Sequence, residues 1–165
     1  MKKIHPFSPV YDGKSEVLIL GSLPSIVSVE RGFYYMHPQN RFWKVLSKIF
    51  EEDIYSKDIE AKTSFILKHH LALYDVVASC DIKNSSDASI ENVTCTDIRE
   101  ILLQAPIKKI ILNGNKAYTL FCKAYPNLKD MAICLPSTSS ANARISLEEL
   151  TRVWEEALRN SNILI

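Results

Sequence analysis

The sequence lacks the features that mark membrane, secreted and metal-binding proteins. None of its apolar runs approaches the roughly 18 residues of a membrane-spanning helix, and no apolar segment follows the basic N-terminus as in a signal peptide. Its cysteines are far apart and form no CxxC pair: Cys80, Cys95, Cys122 and Cys134. We therefore expect reduced, mostly buried thiols and no metal site, in a cytoplasmic protein without a membrane anchor.

Three catalytic signatures are also missing. No GxGxxG follows a strand, so a dinucleotide-binding fold has no support. The run Gly114-Asn115-Lys116 resembles the end of a phosphate loop, but the upstream glycine and the Ser/Thr after the lysine are absent. A serine hydrolase built on Ser22, Ser25 and His37 would need a GxSxG elbow and an acid for the histidine, and the sequence places neither.

Charge is balanced overall but uneven along the chain. The formal net charge of +1 gives no general indication of a partner. Between Glu30 and Lys48 the basic residues are Arg31, Arg41, Lys44 and Lys48, and Glu30 is the only acid. This basic stretch could contact phosphates, although a solvated helix face is the more common explanation.

What the sequence does contain is a regular alternation of short apolar runs and helical patterns. The runs predict strands over Glu16–Leu20, Leu71–Val77, Ile107–Leu112 and Met131–Leu135. The helical patterns cover Arg41–Phe50, Asp58–His70, Asp97–Gln104, Asn115–Tyr125 and Ser146–Asn160, the last opened by a capping box of Ser146 and Glu149. We predict one domain over residues 1–165, with an irregular arm over residues 1–15 and a loop over Cys80–Thr94.

Strands and helices in this order predict a three-layer α/β/α fold with a central, mostly parallel four-stranded sheet. Ligands of such sheets bind outside the carboxyl ends of the strands. Three polar loops leave those ends: Gly21–Asn40, Asn113–Lys116 and Pro136–Arg144. We expect the functional site where these loops converge.

The three loops resemble motifs of the uracil-DNA glycosylase superfamily. Two segments are similar to its first motif: GSLPS at residues 21–25 and YMHPQNRFWKV at residues 35–45. The segment LNGNKAY at residues 112–118 is similar to a Gly-Lys-Gln-Ala-Tyr run of the mismatch-specific branch. The segment LPSTSSANAR at residues 135–144 resembles the second motif. The resemblance extends from about Glu16 to Leu158 and so covers nearly the whole chain.

Two departures from the mismatch-specific pattern indicate a particular branch. That branch carries a catalytic asparagine in its glycine-proline turn, where this chain has Leu23, which cannot position a water molecule. Many members have a histidine or asparagine before the Pro-Ser of the second motif, where this chain has Leu135. The combination resembles the hypoxanthine-DNA glycosylase branch, the sixth family. That branch acts on deoxyinosine and is thought to use the asparagine of its His-Pro-Gln-Asn block, which is Asn40 here.

The resemblance implies a monofunctional hydrolase that releases hypoxanthine, needs no metal or cofactor, and acts as a monomer on a flipped deoxyinosine in damaged DNA. Asn40 is the expected catalytic residue and would orient water through its side-chain oxygen, with a helix cap as its alternative role. The expected base-binding residues are Gly21, Ser22, Leu23, Pro24, Tyr35, Tyr74, Asp75 and Asn113. The expected DNA-binding residues are Ser25, His37, Ser137, Thr138, Ser139, Ser140, Asn142 and Arg144.

Other interpretations stay open at this stage. A uracil or mismatch-specific DNA glycosylase shares the fold, although Leu23 argues against it. A non-catalytic nucleic-acid-binding module would bind without releasing a base. Asn113 is more often a simple turn residue, His37 is equally well explained as a structural contact, and we assign Phe42 and Trp43 to the core.

Overall fold

The computed structural model describes the backbone of residues 2–82 and 90–165, and the side-chain surroundings of residues 4–79 and 92–165. In chain order, its elements are β1 (Lys2–Ile4), β2 (Val17–Gly21), α1 (Ile26–Arg31), α2 (Phe42–Phe50), α3 (Ile59–Lys68), β3 (Leu71–Asp75), β4 (Val77–Ile82), β5 (Ile90–Cys95), α4 (Arg99–Gln104), β6 (Lys109–Asn113), α5 (Asn115–Ala124), a 3₁₀ turn (Pro126–Met131), β7 (Ala132–Leu135) and α6 (Leu147–Asn160).

The main sheet has the strand order β3-β2-β6-β7, and all its pairings are parallel. Residues 17–20 of β2 are fully buried, as expected for a central strand covered by helices on both faces. Gly21 lies opposite Asp75, and Asn113 lies opposite Leu135. The carboxyl ends of all the strands therefore meet at one edge, and the predicted three-layer α/β/α fold is confirmed.

Each face of the sheet carries its own apolar core. One core packs α2, α3 and α6 against the sheet through side chains such as Phe42, Trp43 and Trp154, each at most 2% exposed. The other packs α4 and α5 through Ile101 and Phe121. Fully burying a side chain of this kind stabilises the fold by about 1.5–3 kcal/mol. The assignment of Phe42 and Trp43 to the core is confirmed.

Helices α3 and α6 each begin with a side-chain cap, of which only the one at Ser146 was predicted. Asp58 accepts a hydrogen bond from the Ala61 amide at 2.8 Å, and Ser146 accepts one from the Glu149 amide at 3.1 Å. Only this half of the predicted Ser146–Glu149 capping box forms, because the Glu149 carboxylate pairs with Arg152 instead. No helix among the described residues is long and apolar enough to cross a membrane.

A second sheet corrects two of the predictions. It is antiparallel, with the order β1-β4-β5. The arm over residues 1–15 is therefore not irregular throughout: β1 pairs with β4, and Val10 bridges to Leu73. The segment Cys80–Thr94 is not simply a loop, since residues 80–82 and 90–94 are strand and residues 83–89 lie outside the described part. These strands are rich in polar residues, so they lack the apolar runs that mark the main sheet.

The loop Gly21–Asn40 also contains an element that was not predicted. The six-residue helix α1 begins after Ser25, whose hydroxyl accepts a hydrogen bond from the Ser28 amide at 3.1 Å. Gly32 ends it in the left-handed conformation, with φ of 80°, which glycine adopts without a steric penalty. The described thiols, Cys95, Cys122 and Cys134, are free and half-buried rather than mostly buried.

Candidate active site

Residues from the three predicted loops meet around Thr138, which is completely buried. The Thr138 amide donates to Asn113 Oδ1 at 3.0 Å, and Asn113 Nδ2 donates to Thr138 Oγ1 at 3.0 Å. Thr138 Oγ1 in turn donates to Asn40 Oδ1 at 2.9 Å. One hydrogen-bond chain thus joins the end of β6, the loop after β7 and the start of α2.

The orientation of the Asn40 amide follows from its partners. Besides Thr138, the backbone amide of Phe42 also donates to Asn40 Oδ1, at 2.9 Å. A backbone N–H can only donate, so the atom that faces it must be the oxygen. Asn40 therefore has its oxygen occupied twice at the start of α2, while its Nδ2 makes no hydrogen bond to the described residues. Asn40 lies one residue before the N-cap, Arg41, and satisfies the first amide of α2. The oxygen expected to orient water is therefore already in use.

The structure disagrees with the expected role of Thr138. It was expected to contact DNA, but it has no exposed surface, and both its hydroxyl and its amide are bonded within the protein. A phosphate cannot reach it in this conformation. Asn113 is likewise more than a turn residue, because both ends of its amide are held by Thr138.

A second group of polar atoms surrounds Gly21. A methyl group added there would lie 2.6 Å from Asp75 Oδ1 and 2.8 Å from the Tyr35 hydroxyl, closer than a Cβ atom comes to a non-bonded heavy atom. The absence of a side chain at Gly21 is thus what lets Asp75 and Tyr35 approach the end of β2. This arrangement places two of the expected base-binding side chains at one point of the sheet edge.

Tyr35 combines an uncommon backbone conformation with a buried hydroxyl group. Its backbone has φ of 58°, a left-handed conformation that costs a bulky residue about 1–3 kcal/mol. Its ring stacks on Phe42 with centroids 4.1 Å apart. Its hydroxyl is buried without a hydrogen-bond partner in the described chain. Burial raises the pKa of Tyr35, the Asp75 carboxylate adds to that rise, and the nearby Asn113 amide offsets part of it.

The remaining base-binding candidates lie close to this point. Ser22, Leu23 and Pro24 are half-buried in the turn after β2. The backbone carbonyls of Gly21 and Ser22 accept hydrogen bonds from the amides of Val76 and Val77 at 2.7 and 3.1 Å. The turn is therefore fixed to the segment after β3. Tyr74 is half-buried, and burial, with the Asp75 carboxylate, raises its pKa.

The loop Pro136–Arg144 is held in place by Arg41. The Arg41 guanidinium donates to the carbonyls of Ile145 at 2.7 Å and Asn142 at 2.9 Å, and its amide donates to the Thr138 carbonyl at 2.9 Å. Arg41 was noted in the sequence only as part of a basic stretch available to phosphates. Here its charge organises the loop instead.

The other DNA-binding candidates differ in their exposure and in the hydrogen bonds that they make within the protein. Ser137 Oγ accepts from the Ser139 amide, and Asn142 Nδ2 donates to the Ser137 carbonyl. Ser140 and Arg144 are exposed. Ser25 serves as the cap of α1, and His37 accepts from the Gln39 amide through Nδ1 at 3.1 Å, which leaves Nε2 free to carry its proton. A groove is bordered by Gly114, Ser137, Ser139 and Asn142.

One buried residue of the site was missed altogether. His5 lies next to β1, and its Nε2 is 2.7 Å from Asp75 Oδ2; both side chains are 4% exposed. Nothing local in the sequence links His5 with Asp75, because the pair is separated by 70 positions. Among the described residues, no three His, Cys, Asp or Glu side chains are grouped so that they could hold a metal ion.

Comparison with known proteins gives consistent results. The family model described as the Uracil DNA glycosylase superfamily matches residues 8–158. A protein named Hypoxanthine DNA glycosylase from Methanosarcina barkeri is 33% identical over 163 residues, which is 96% of this chain and 99% of that one. A protein of the same name from Methanosarcina acetivorans is 31% identical, covering 93% of this chain and 97% of its own. A solution NMR structure of a Methanosarcina acetivorans protein, 31% identical, superposes with a TM-score of 0.81 over 98% of this chain and 99% of its own.

Proposed function

Because the chain belongs to the uracil DNA glycosylase superfamily, we propose that it is a DNA glycosylase that hydrolyses the N-glycosidic bond of deoxyinosine. It releases hypoxanthine and leaves an abasic site. The observation that carries this proposal is the similarity, at 31–33% identity over nearly the full length, to two proteins named Hypoxanthine DNA glycosylase. We further propose that it works in the cytoplasm as a monomer on a nucleotide flipped out of the DNA duplex.

Catalysis is assigned to Asn40. Both acceptor positions of its Oδ1 are occupied, so the group left to act is the Nδ2 amide. An N–H donor stabilises negative charge, and negative charge develops on the leaving hypoxanthine as the bond to C1′ breaks. This geometry supports stabilisation of the leaving base by Asn40 Nδ2, in place of orientation of water by its oxygen.

Recognition of the base is assigned to the sheet edge beside Gly21. Tyr35 supplies a ring for stacking, which is worth about 1–3 kcal/mol per base. Asp75, Tyr74, Asn113 and the turn over residues 21–24 supply the hydrogen-bonding groups. The exposed or half-buried residues of the second-motif loop, Ser137, Ser139, Ser140, Asn142 and Arg144, together with Ser25 and His37, face the DNA backbone.

The activity is tested with oligonucleotides carrying deoxyinosine, deoxyuridine or a G·T mismatch, treated with alkali after incubation. Strand cleavage at deoxyinosine is the expected result. Release from deoxyuridine without release from deoxyinosine would indicate a uracil glycosylase, and binding without any release would indicate a non-catalytic module. Size-exclusion chromatography with light scattering tests the monomeric state.

The role of Asn40 is tested by a pair of substitutions. Asn40→Asp keeps the oxygen that accepts from Phe42 and Thr138 but replaces the Nδ2 donor by an acceptor. We expect the single-turnover rate on deoxyinosine to fall by about 100-fold or more, with thermal stability close to that of the wild type. Asn40→Ala should lose a similar rate and also about 1 kcal/mol of stability, because the cap is removed. Full activity of Asn40→Asp would show instead that the oxygen does the work.

A further inference from the structure

His5 and Asp75 form a buried pair that the proposed chemistry does not yet use. His5 Nε2 lies 2.7 Å from Asp75 Oδ2. The imidazole is enclosed by aromatic rings, with centroid distances of 5.5 Å to Phe7, 6.0 Å to Tyr34 and 5.1 Å to Tyr74. A polar pair is costly to bury, so its presence at this position calls for an explanation.

The backbone places His5 firmly. Its amide donates to the Ala78 carbonyl at 2.7 Å, and its Nδ1 lies 2.9 Å from the Phe7 carbonyl. β1 on one side of His5 pairs with β4, and Val10 on the other side bridges to Leu73. The N-terminal arm therefore presents the imidazole to Asp75 in a fixed orientation.

The two oxygens of Asp75 have different surroundings. Oδ2 is bound by His5, whereas Oδ1 makes no hydrogen bond to the described residues and points toward Gly21, the residue at the carboxyl end of β2. Gly21 and Asp75 are direct neighbours in the sheet register. Oδ1 is thus the oxygen of Asp75 that faces the region assigned to the base.

The hydrogen-bonding character of Oδ1 follows from the pair. A short contact between Nε2 and Oδ2 requires one proton between them. If the proton is on His5, Asp75 is a carboxylate and Oδ1 accepts; if it is on Oδ2, Oδ1 is a carbonyl oxygen and still accepts. Without His5, no partner at Oδ2 fixes the hydrogen-bonding character of the carboxyl group, so Oδ1 is no longer held as an acceptor.

We infer that His5 is a specificity-determining residue that acts through Asp75 and keeps Oδ1 an obligatory hydrogen-bond acceptor for the flipped base. This inference rests on the proposed function. Hypoxanthine offers a donor at N1–H, whereas adenine, its undamaged precursor, has an unprotonated acceptor at N1. An acceptor at Oδ1 pairs with the first and repels the second, and sites built around such a contact discriminate by large factors.

The test compares His5→Leu with His5→Gln. Leucine suits the apolar surroundings but removes the ring nitrogens, whereas glutamine can place an N–H close to the position of Nε2. We expect the single-turnover rate of His5→Leu on deoxyinosine to fall by about 100-fold or more, with His5→Gln within about tenfold of the wild type. Affinity for an oligonucleotide with a tetrahydrofuran abasic site, which has no base to recognise, should change less than about twofold in both.

The control is His70→Asn. His70 also bonds a carboxylate, Glu16 at 3.0 Å, but at the amino ends of the strands, and asparagine tolerates its φ of 59°. This variant should keep the wild-type rate.

The outcomes separate the two proposals. If the wild type releases no hypoxanthine, the proposed function is wrong. If it does, and His5→Leu retains the rate or His5→Gln loses it as completely as His5→Leu, the role of His5 is wrong. A matched loss of abasic-site affinity would also overturn it, because a defect in folding or in DNA binding would then explain the rate. Since His5→Gln and abasic-site affinity are measured separately, the inference can fail even where His5→Leu folds poorly.

Discussion

At Thr138, one hydroxyl group holds two amide side chains. It accepts from Asn113 and donates to Asn40, and it is completely buried. Thr138→Val removes the hydroxyl at nearly constant volume and leaves buried polar groups unpaired, so we expect a loss of about 1–3 kcal/mol in the free energy of unfolding. The rate on deoxyinosine should fall by about 100-fold, since a small misplacement of a reacting group has effects of that size.

The matched control is Thr138→Ser, which keeps the hydroxyl. Urea denaturation and single-turnover kinetics on both variants measure the two effects. If valine and serine at this position give the same rate, the hydroxyl does not position Asn40.

Gly21 gives a second prediction at the scale of one residue. A methyl group added there would collide with Asp75, which is bonded to His5, and with Tyr35, whose ring stacks on Phe42. We expect Gly21→Ala to lower the free energy of unfolding by about 1–3 kcal/mol, the usual cost of overpacking, and to displace the base-binding groups. Gly13→Ala is the control, because its methyl group would lie 3.8 Å from the nearest atom. Equal melting temperatures for the two variants would contradict this description of Gly21.

At the scale of the secondary-structure elements, a group of ion pairs lies at the amino ends of the strands, opposite the site. Glu16 precedes β2 and joins its neighbours, with Oε1 2.7 Å from Lys108 Nζ and Oε2 3.0 Å from His70 Nδ1. The hydrogen bonds from Lys108 and His70 lower the pKa of Glu16 below its usual 4.5. A lowered pKa means that the contribution to stability is present above pH 4.5 and is lost as the pH falls through the folded-state pKa.

Glu16→Gln should therefore destabilise the protein near pH 7 by about 1 kcal/mol or less, a value kept small because the groups are partly exposed. The difference from the wild type should shrink as the pH is lowered from 5 toward 3, roughly the range over which such a carboxylate titrates. Thermal unfolding at several pH values measures it. A difference that is independent of pH would show that the ion pairs are not its source.

The elements also show what the sequence could and could not predict. β2, β3 and β6 were predictable because strands buried on both faces consist of continuous apolar runs, and β7 was predictable because it carries a run of the same kind although it is less buried. α6 was predictable from its apolar stripe and from Ser146. The strands β1, β4 and β5 were missed because polar residues interrupt them, so they show no continuous apolar run. His5 was missed because its partner Asp75 lies 70 positions away in the sequence, whereas Asn40 and Asn113 lie within the motif segments themselves.

At the scale of the whole molecule, stability should be uneven across the two sheets. β2 is hydrogen-bonded on both sides and fully buried over residues 17–20, whereas the β4–β5 pairing is irregular, with shifts in register. We expect the amides of residues 18–20 to exchange with solvent only through global unfolding, and those of residues 93–95 to exchange through smaller openings. Native-state hydrogen exchange at increasing urea concentrations measures both. Equal protection in the two sheets would contradict this ranking.

The side-chain amides of Asn40 and Asn113 are anchored by the backbone, which affects how the site can change over evolution. Their orientation is set by the backbone N–H groups of Phe42 and Thr138. A backbone donor exists whatever side chain its residue carries, and only proline removes it. Many single substitutions at positions 42 and 138 would therefore weaken the packing of Phe42 or the hydrogen bonds of the Thr138 hydroxyl. They would not exchange the oxygen and nitrogen positions of the Asn40 or Asn113 amide. The main chain therefore fixes which end of each side-chain amide is the acceptor. Substitutions of the neighbouring side chains can lower the reaction rate without changing the groups that take part in the reaction.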